Sequence, residues 1–493
     1  TVTGVTWQDN DANPSEVTMT SAVVVGSGPN GLAAALTLAA AGVSVRVIEA
    51  AATPGGGTRS AELTLPGLLH DECSAFHPLA VDTPFSRAAR LEEHGLEWCW
   101  PEIQYAHPLD GPEMGSGAAA WRSVADTAAG LGADGAAWQA VFGGLAERFD
   151  RISEDLFEPM LGVPHHPVDL ALFGALSALP ASLLARRWRG PRARALFAGV
   201  AAHGLRPFGT PMSSAIGVTL GAAAHRYGWP AARGGSQAIA RAMVSALEAH
   251  GGVVETGRTV TSLAELGRPD IVMLDTAPAA ASRIAAGRLP GRVDRALRRY
   301  RHGPAAFKVE LAVAEGVPWR YEPARRAGTV HLGGSLEEIT EAERMVHRGR
   351  MPERPYVLVG QQYLADPGRS HDGVHPVYAY AHVPSGWSGD ATALVEAQIE
   401  RFAPGFGERV LARHVRDVAG MSSYNANYVG GDIVTGANTP RQLVARPRAA
   451  VDPYWLGADL LYLCSAATPP GGGAHGMCGF NAAHSALRRL SRA

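Results

Sequence analysis

Val23-Val24-Val25-Gly26-Ser27-Gly28-Pro29-Asn30-Gly31 runs into an alanine-rich segment, Leu32 to Ala41, and then into Val47-Ile48-Glu49. The order is a buried strand, a glycine turn, a helix, a second strand and a terminal acid. Gly26 permits the tight turn, Gly28 lets the backbone approach a pyrophosphate, and Gly31 lets helix and strand pack closely. The helix N-terminus adds free N–H groups and a partial positive charge for phosphates. Glu49 stands 23 residues after Gly26, near the offset of an acid that hydrogen-bonds a ribose hydroxyl. The stretch therefore predicts a dinucleotide-binding βαβ unit, with a purely structural βαβ turn as the alternative.

The rest of the chain supports a large α/β protein. Its 493 residues suit about two to four domain-sized units. A composition 46% hydrophobic and 18% charged is globular, and a formal charge of −2 leaves no footprint for nucleic acid. Cys73, Cys99, Cys464 and Cys478 form no CxxC pair and no metal-ligand spacing, as expected of reduced thiols in a cytoplasmic protein. Residues 1–20 are polar, unlike a signal peptide, although removal of an upstream segment stays open. No run approaches the roughly 18 apolar residues of a spanning helix.

Domain organisation follows from the pattern along the chain. Residues 20–84 read as the first part of the nucleotide domain. They include Thr53-Pro54-Gly55-Gly56-Gly57-Thr58-Arg59-Ser60, where the glycines suit a close backbone approach and Arg59 could meet a phosphate; a flexible loop is the alternative. Residues 85–229 read as a helical cap without sustained strand alternation. Within it, 168–205 mixes apolar runs with Arg186, Arg187, Arg189, Arg192 and Arg194. Such a surface can rest on a membrane, and a core helix followed by a solvated basic loop has the same pattern. Residues 230–290 return to βα material, with a helix to about His250, a strand over Val253–Val260 and another over 271–276. Residues 291–435 alternate strands with a helix at about 391–402, as in a mixed α/β substrate domain, and 436–493 complete the nucleotide domain.

Near the end, the strand Leu460–Ser465 leads into Pro469-Pro470-Gly471-Gly472-Gly473-Ala474-His475-Gly476-Met477-Cys478-Gly479 and a last helix to about Leu490. This second glycine turn has no following strand or acid in the sequence, so it is expected to serve the far end of the first turn's ligand. Against the pyrimidine edge of a flavin, its helix would stabilise reduced-ring charge by about 0.3–1 kcal/mol, up to about 2 if partly buried.

Five segments together resemble the phytoene desaturase-like FAD-dependent oxidoreductases of the flavin amine oxidase superfamily. They are Val25–Gly31 with Glu49, Pro54–Ser60, Gly234–Val260, Asn427-Tyr428-Val429-Gly430-Gly431-Asp432-Ile433, and Leu461–Asn481. The resemblance implies an α/β fold: a Rossmann-like FAD-binding domain split in sequence, a mixed α/β substrate domain and a helical cap. It implies FAD as cofactor. Gly26, Gly28, Pro29, Asn30 and Gly31 would hold the pyrophosphate, with Glu49 and Ala50 at the ribose. Gly56, Gly57, Thr58 and Arg59 would follow, Arg59 taking the role of an arginine that such proteins place nearer the strand-two acid, where Ala51 and Ala52 stand here. Val260 would meet the adenine, and Asp275, Ala466, Gly476, Met477 and Cys478 would complete the site.

Flavin dehydrogenation draws its reactivity from the cofactor. His475 is the first candidate for a base and Asp432 the second, with pocket-lining and turn-capping as the bland alternatives; His70 and His77 follow. The implied activity is hydride transfer from a hydrophobic or mid-sized organic substrate to FAD. Oxygen, a quinone or a carrier protein would serve as electron acceptor. His475 and Cys478 stand where carotenoid desaturases have smaller or apolar residues, which argues against a carotene substrate. The alternatives are an amine or alcohol oxidase releasing hydrogen peroxide and a non-catalytic flavoprotein scaffold.

Overall fold

A computed structural model describes residues 19–110 and 115–492; the polar stretch 1–18 lies outside the described residues. The strand Ser21–Val25 is the centre of a five-stranded sheet, in the order Leu461–Leu463, Ile271–Leu274, Ser21–Val25, Ser44–Ile48, Val253–Glu255. All four pairings are parallel. Parallel strands need covered faces, hence the near-continuous apolar runs of the central strands. Helices Pro29–Ala40 and Met477–Leu490 cover one face through Ala34, Ala35, Leu38, Ala482, Ala483 and Ala486. On the opposite face Val23, Val25, Ile48 and Leu274 pack with Val260, Ile284 and Leu297. Helix Gln237–Ala249 packs beside Pro29–Ala40 through Ile239, Met243 and Ala246. The sheet thus draws its strands from three separate parts of the sequence.

A second sheet has seven strands in the order Val410–Arg416, Ala305–Ala314, Val374–Val383, Val357–Gly360, Ala327–Leu332, Ile103–Pro108, Gly117–Ala120. It is antiparallel except where Ala327–Leu332 runs parallel to Ile103–Pro108. Side chains alternate across it as a strand requires. Val357 and Val359 join the core under helix Thr392–Phe402. Tyr356 and Leu358 face a helical layer built around Trp138, Phe142, Trp188 and Phe197.

Two expectations are corrected. Residues 85–229 are not wholly helical, because Ile103–Pro108 and Gly117–Ala120 belong to the second sheet. Ile103–Pro108 is buried at every position, so it carries no polar alternation. Gly117-Ala-Ala-Ala120 has helix-favouring composition, and packing under the Tyr321 ring overrides it. The strand expected over Val253–Val260 ends at Glu255, and the chain then turns at Gly257 with φ +73°. Val260 nevertheless reaches the core, outside any strand.

Helix Met477–Leu490 approaches Pro29–Ala40 so closely that a Cβ at Gly479 would collide with the Asn30 carbonyl. Gly479→Ala is expected to cost at least about 1–3 kcal/mol. Gly174→Ala, in a helix with no atom near the added methyl, should instead stabilise by about 0.4–1 kcal/mol. Chemical denaturation of the two variants checks the contrast, and equal effects would refute the packing argument.

Candidate functional site

One continuous cavity of about 1080 Å³ begins at the C-terminal ends of the parallel strands and extends to the helical layer and the second sheet. Of the residues expected to hold a cofactor, Gly26, Gly28, Pro29, Asn30, Glu49, Ala50, Gly56, Gly57, Thr58, Arg59, Val260, Asp275 and Ala466 line it. Gly31, Gly476, Met477 and Cys478 do not.

The glycine turn is shaped by Asp275. Gly26 adopts φ +99°, and a Cβ there would lie 2.7 Å from the Asp275 carbonyl. A Cβ at Gly28 or Gly31 would lie 2.7 or 2.9 Å from Asp275 Oδ2. That oxygen accepts the Gly31 N–H at 3.0 Å, so Gly31 is spent on this contact behind the cavity wall. Burial pushes the Asp275 carboxyl up to about 7, with nearby Glu49 adding to the rise. Asn427 clamps the same strand end, its Nδ2 donating to the Asp275 carbonyl at 3.0 Å and its Oδ1 accepting the Ala277 N–H at 2.6 Å.

Glu49 is held firmly. Its Oε2 accepts the Ser27 N–H at 2.8 Å and the Ser27 hydroxyl at 2.5 Å, and its Oε1 accepts the Ala51 N–H at 2.8 Å. Arg59 lies 3.5 Å from Glu49 and donates to the Thr53 carbonyl at 3.1 Å. Glycine is required at Gly56, where a Cβ would lie 2.9 Å from Gly28 Cα, so the two glycine turns touch. Among the described residues, four buried polar atoms on residues lining the cavity have no partner: Asn30 Oδ1, Ser177 Oγ, Thr276 Oγ1 and Thr435 Oγ1. Native buried polar atoms are nearly always paired, so unpaired ones along a cavity point to a polar ligand.

The C-terminal turn contributes differently from expectation. Gly472, Gly473, Ala474 and His475 line the cavity. Met477 packs instead with Leu32, Ala33 and Phe85. A Cβ at Gly476 would meet the Phe85 ring at 2.6 Å. The Cys478 thiol donates to the Thr468 and Gly471 carbonyls, and burial pushes it up to about 12. These three serve the core because the helix must seat against Pro29–Ala40.

The catalytic candidates separate. His475 Nδ1 accepts the Met477 N–H at 3.1 Å, so the ring caps the last helix while lining the cavity. Burial lowers it to about 4, which keeps it neutral at physiological pH. Asp432 leaves the candidate set. It does not line the cavity, and its carboxylate accepts the Gly303 N–H at 2.8 Å and the Val434 N–H at 3.1 Å, as a loop-fixing acid does. His77 lines the cavity, bonds Ser236 Oγ at 2.8 Å and is lowered by burial to about 4. His70 is buried behind the wall between Thr64 and Glu310.

The far end of the cavity is an apolar chamber. Tyr378, Tyr380 and Leu358 come from the second sheet, Phe76 and Trp229 from loops, and Leu170, Phe173 and Ile216 from helices. Tyr424 and Tyr428 join the two ends. These residues sit on elements far apart in sequence and share no motif, so sequence reasoning missed them. It also missed Lys308, although a signal was present: of the 44 Lys and Arg residues, all but Lys308 are arginine. Lys308 is buried, pairs with Glu310, donates to the Asp71 carbonyl at 2.5 Å and lies 4.6 Å from the Tyr378 ring centre. It braces the chamber wall from behind.

Asp275 gives a pH test. Between about pH 4 and 7 the folded protein retains a proton that the unfolded chain has released, so stability falls as pH rises through that window. The steepest slope is about 1.4 kcal/mol per pH unit. Removing the titration in Asp275→Asn should give a variant of the apoprotein whose melting-temperature advantage over wild type grows from pH 4 to 7 and is flat above it. Parallel profiles would contradict the assignment.

Residues 24–87 match the model of the NAD(P)-binding Rossmann-like domain. A rat protein, pyridine nucleotide-disulfide oxidoreductase domain-containing protein 2, is 25% identical over 300 residues, covering 53% of this chain and 52% of its own length. Its mouse counterpart is 40% identical over 93 residues, 19% of this chain and 16% of its own. The chain thus spans about half the length of the rat relative. Among solved structures, an oxidoreductase from Methanosarcina mazei aligns with TM-score 0.60 at 15% identity, over 95% of this chain and 100% of its own. Putrescine oxidase, solved with putrescine, aligns with TM-score 0.59 at 17% identity over 96% and 99%. Cyclohexylamine oxidase from Brevibacterium oxydans gives 0.57 at 15% over 96% and 100%. The described residues therefore have the α/β fold of these oxidoreductase structures, with a Rossmann-like nucleotide domain.

Proposed function

We propose that this chain is an FAD-dependent oxidoreductase of the phytoene desaturase-like kind, a dehydrogenase or desaturase acting on a neutral, lipophilic organic molecule. The observation that carries the reading is the single cavity that joins a dinucleotide-type trough to an apolar chamber. The trough fits FAD by its donor set. Glu49 is oriented for a ribose, the glycine turns leave room for a pyrophosphate, and unpaired Asn30, Thr276 and Thr435 oxygens face a ligand. FAD would supply the hydride acceptor, and the chain's residues bind, orient and exclude water. A pyrophosphate in the turn is compatible with Asp275 when that carboxyl is neutral.

The amine oxidase reading is favoured by the putrescine and cyclohexylamine oxidase likenesses. Charge weighs against it. The one carboxylate lining the cavity at the chamber end, Glu158, is exposed to solvent, so no buried carboxylate stands there to balance a desolvated ammonium. Two of the aromatic faces already hold protein cations, Lys308 over Tyr378 and Arg59 with Arg416 over Tyr424. His77 and His475 are neutral, so the chamber suits a neutral substrate.

Purified protein should be yellow and release FAD on heating. Glu49→Gln should weaken FAD binding by about tenfold or more, as the loss of a charge-assisted hydrogen bond implies. Wild-type affinity should fall above pH 7, and Asp275→Asn should flatten that dependence. A folded, colourless preparation that ignores added FAD would refute the reading. Anaerobic flavin bleaching against lipophilic alkenes, alcohols and amines, with peroxide measured under air, separates desaturase from oxidase.

A further inference from the structure

Helix Pro167–Ser177 is apolar on two opposite faces, with Asp169 in its first turn, yet the protein covers only one of them. Leu170, Phe173, Gly174 and Ser177 line the cavity. Val168, Ala171, Leu172 and Ala175 form the opposite stripe and are exposed, Val168 at 72% and Leu172 at 51%. The patch continues before the helix through Leu161 and Val163, the latter 91% exposed, and after it through Leu183. Six of the 13 large hydrophobic side chains exposed among the described residues fall between Met160 and Leu183. Clustering of this kind marks an interaction surface, whereas scattered exposed residues need no explanation.

The charges beside the patch say what covers it. The second helical segment, Ala181–Arg187, meets the first at 93° and carries Leu183, Arg186 and Arg187 on adjacent turns. Arg186, Arg187, Arg189 and Arg192 are exposed, and among the described residues none pairs with a carboxylate. Three of the nearby acids are already engaged: Asp169 with Arg148 and Arg151, Asp155 with the His165 and His166 N–H groups, and Glu154 with His166; exposed Glu158 offsets one of the arginine charges at most. An apolar ridge flanked by uncompensated arginines is complementary to a bilayer with anionic headgroups. The apolar side chains enter the acyl boundary while the guanidinium groups stay at the phosphates.

We infer that the outer face of residues 160–183 docks this protein on an anionic membrane surface, with the chamber one helix-width behind the lipid. Among the described residues no single helix is long and apolar enough to span a bilayer, and the two segments are bent at a right angle, so the contact lies along the interface. The same helix then has lipid on one side and the chamber on the other, a short path for a lipophilic substrate. That delivery role rests on the proposed chemistry; the docking does not.

The test is co-sedimentation of the flavin-loaded protein with vesicles of phosphatidylcholine alone or mixed with phosphatidylglycerol. Wild type should bind the mixed vesicles, weaken as salt is raised, and bind phosphatidylcholine poorly. Val163→Ser/Val168→Ser/Leu172→Ser should reduce binding by at least about tenfold, and each of Arg186→Ser and Arg187→Ser by about fivefold. These side chains are exposed and outside the cavity wall, so melting temperature and flavin content should stay at wild-type values, which keeps this result separate from the flavin test above. Absence of binding to either vesicle, or binding that neither set of variants weakens, would overturn the inference. So would a wild-type dimer that the triple serine variant turns into a monomer without any vesicle binding, since a second copy would then cover the patch.

Discussion

The contact between the first glycine turn and Asp275 governs the rest of the structure. Three glycines give up their side chains so that the end of one parallel strand can press a carboxyl against the start of a helix on its neighbour. The Gly31 N–H, a donor that a helix start leaves without an internal partner, is satisfied by Asp275 Oδ2. This closes the back of the turn and leaves its front for a ligand. Asn427 locks the carbonyl of the same residue, which ties a loop from beyond the second sheet to the nucleotide sheet. A bulkier residue at Gly26, Gly28 or Gly31 would push Asp275 away and disturb strand, helix and loop together.

That contact also limits what a pattern can reveal. The strand, turn, helix and acid at 21–49 were legible because each element is local and its glycines have local reasons to be there. The return of parallel strands after the helical layer was legible for the same reason, through apolar runs and glycine stops. Ile103–Pro108 was not legible: a strand buried on both faces has no period, its parallel partner Ala327–Leu332 lies more than two hundred residues away, and its near partner Gly117–Ala120 is too alanine-rich to read as a strand. The direction in which Gly31, Met477 and Cys478 act was hidden too. A glycine-rich helix start looks the same whether its donors face a ligand or the core, and only the seat of Gly479 on Asn30 decides it.

The chamber residues show a further reason for partial legibility. Tyr378 and Tyr380 sit on the helical-layer side of the second sheet, while Val377 and Ala379 face the other core. Alternation assigns them to a face but cannot say that the face is hollow. Lys308 is the opposite case, since its rarity was visible in the composition and its meaning was not. Lysine presents a compact ammonium, where arginine presents a broad fork. At Lys308 the ammonium has Glu310, the Asp71 carbonyl and the Tyr378 ring as neighbours in a buried space.

Charge placement then orders the molecule from one end of the cavity to the other. Glu49, Arg59 and Asp275 concentrate ionisable groups at the nucleotide trough, each with fixed partners. Beyond Tyr424 and Tyr428 the walls turn apolar, and the histidines there are held neutral by burial: His77 and His475 at about 4 and His203 at about 3. A charged molecule entering that space would lose its hydration without gaining a buried counter-ion, whereas a neutral apolar one gains by leaving water. The gradient therefore separates two environments on one path, a charged trough suited to a dinucleotide at one end and, in the proposed function, a chamber for an uncharged substrate at the other. The exposed apolar ridge stands on the uncharged side, where the ridge and the chamber wall are the two faces of one helix.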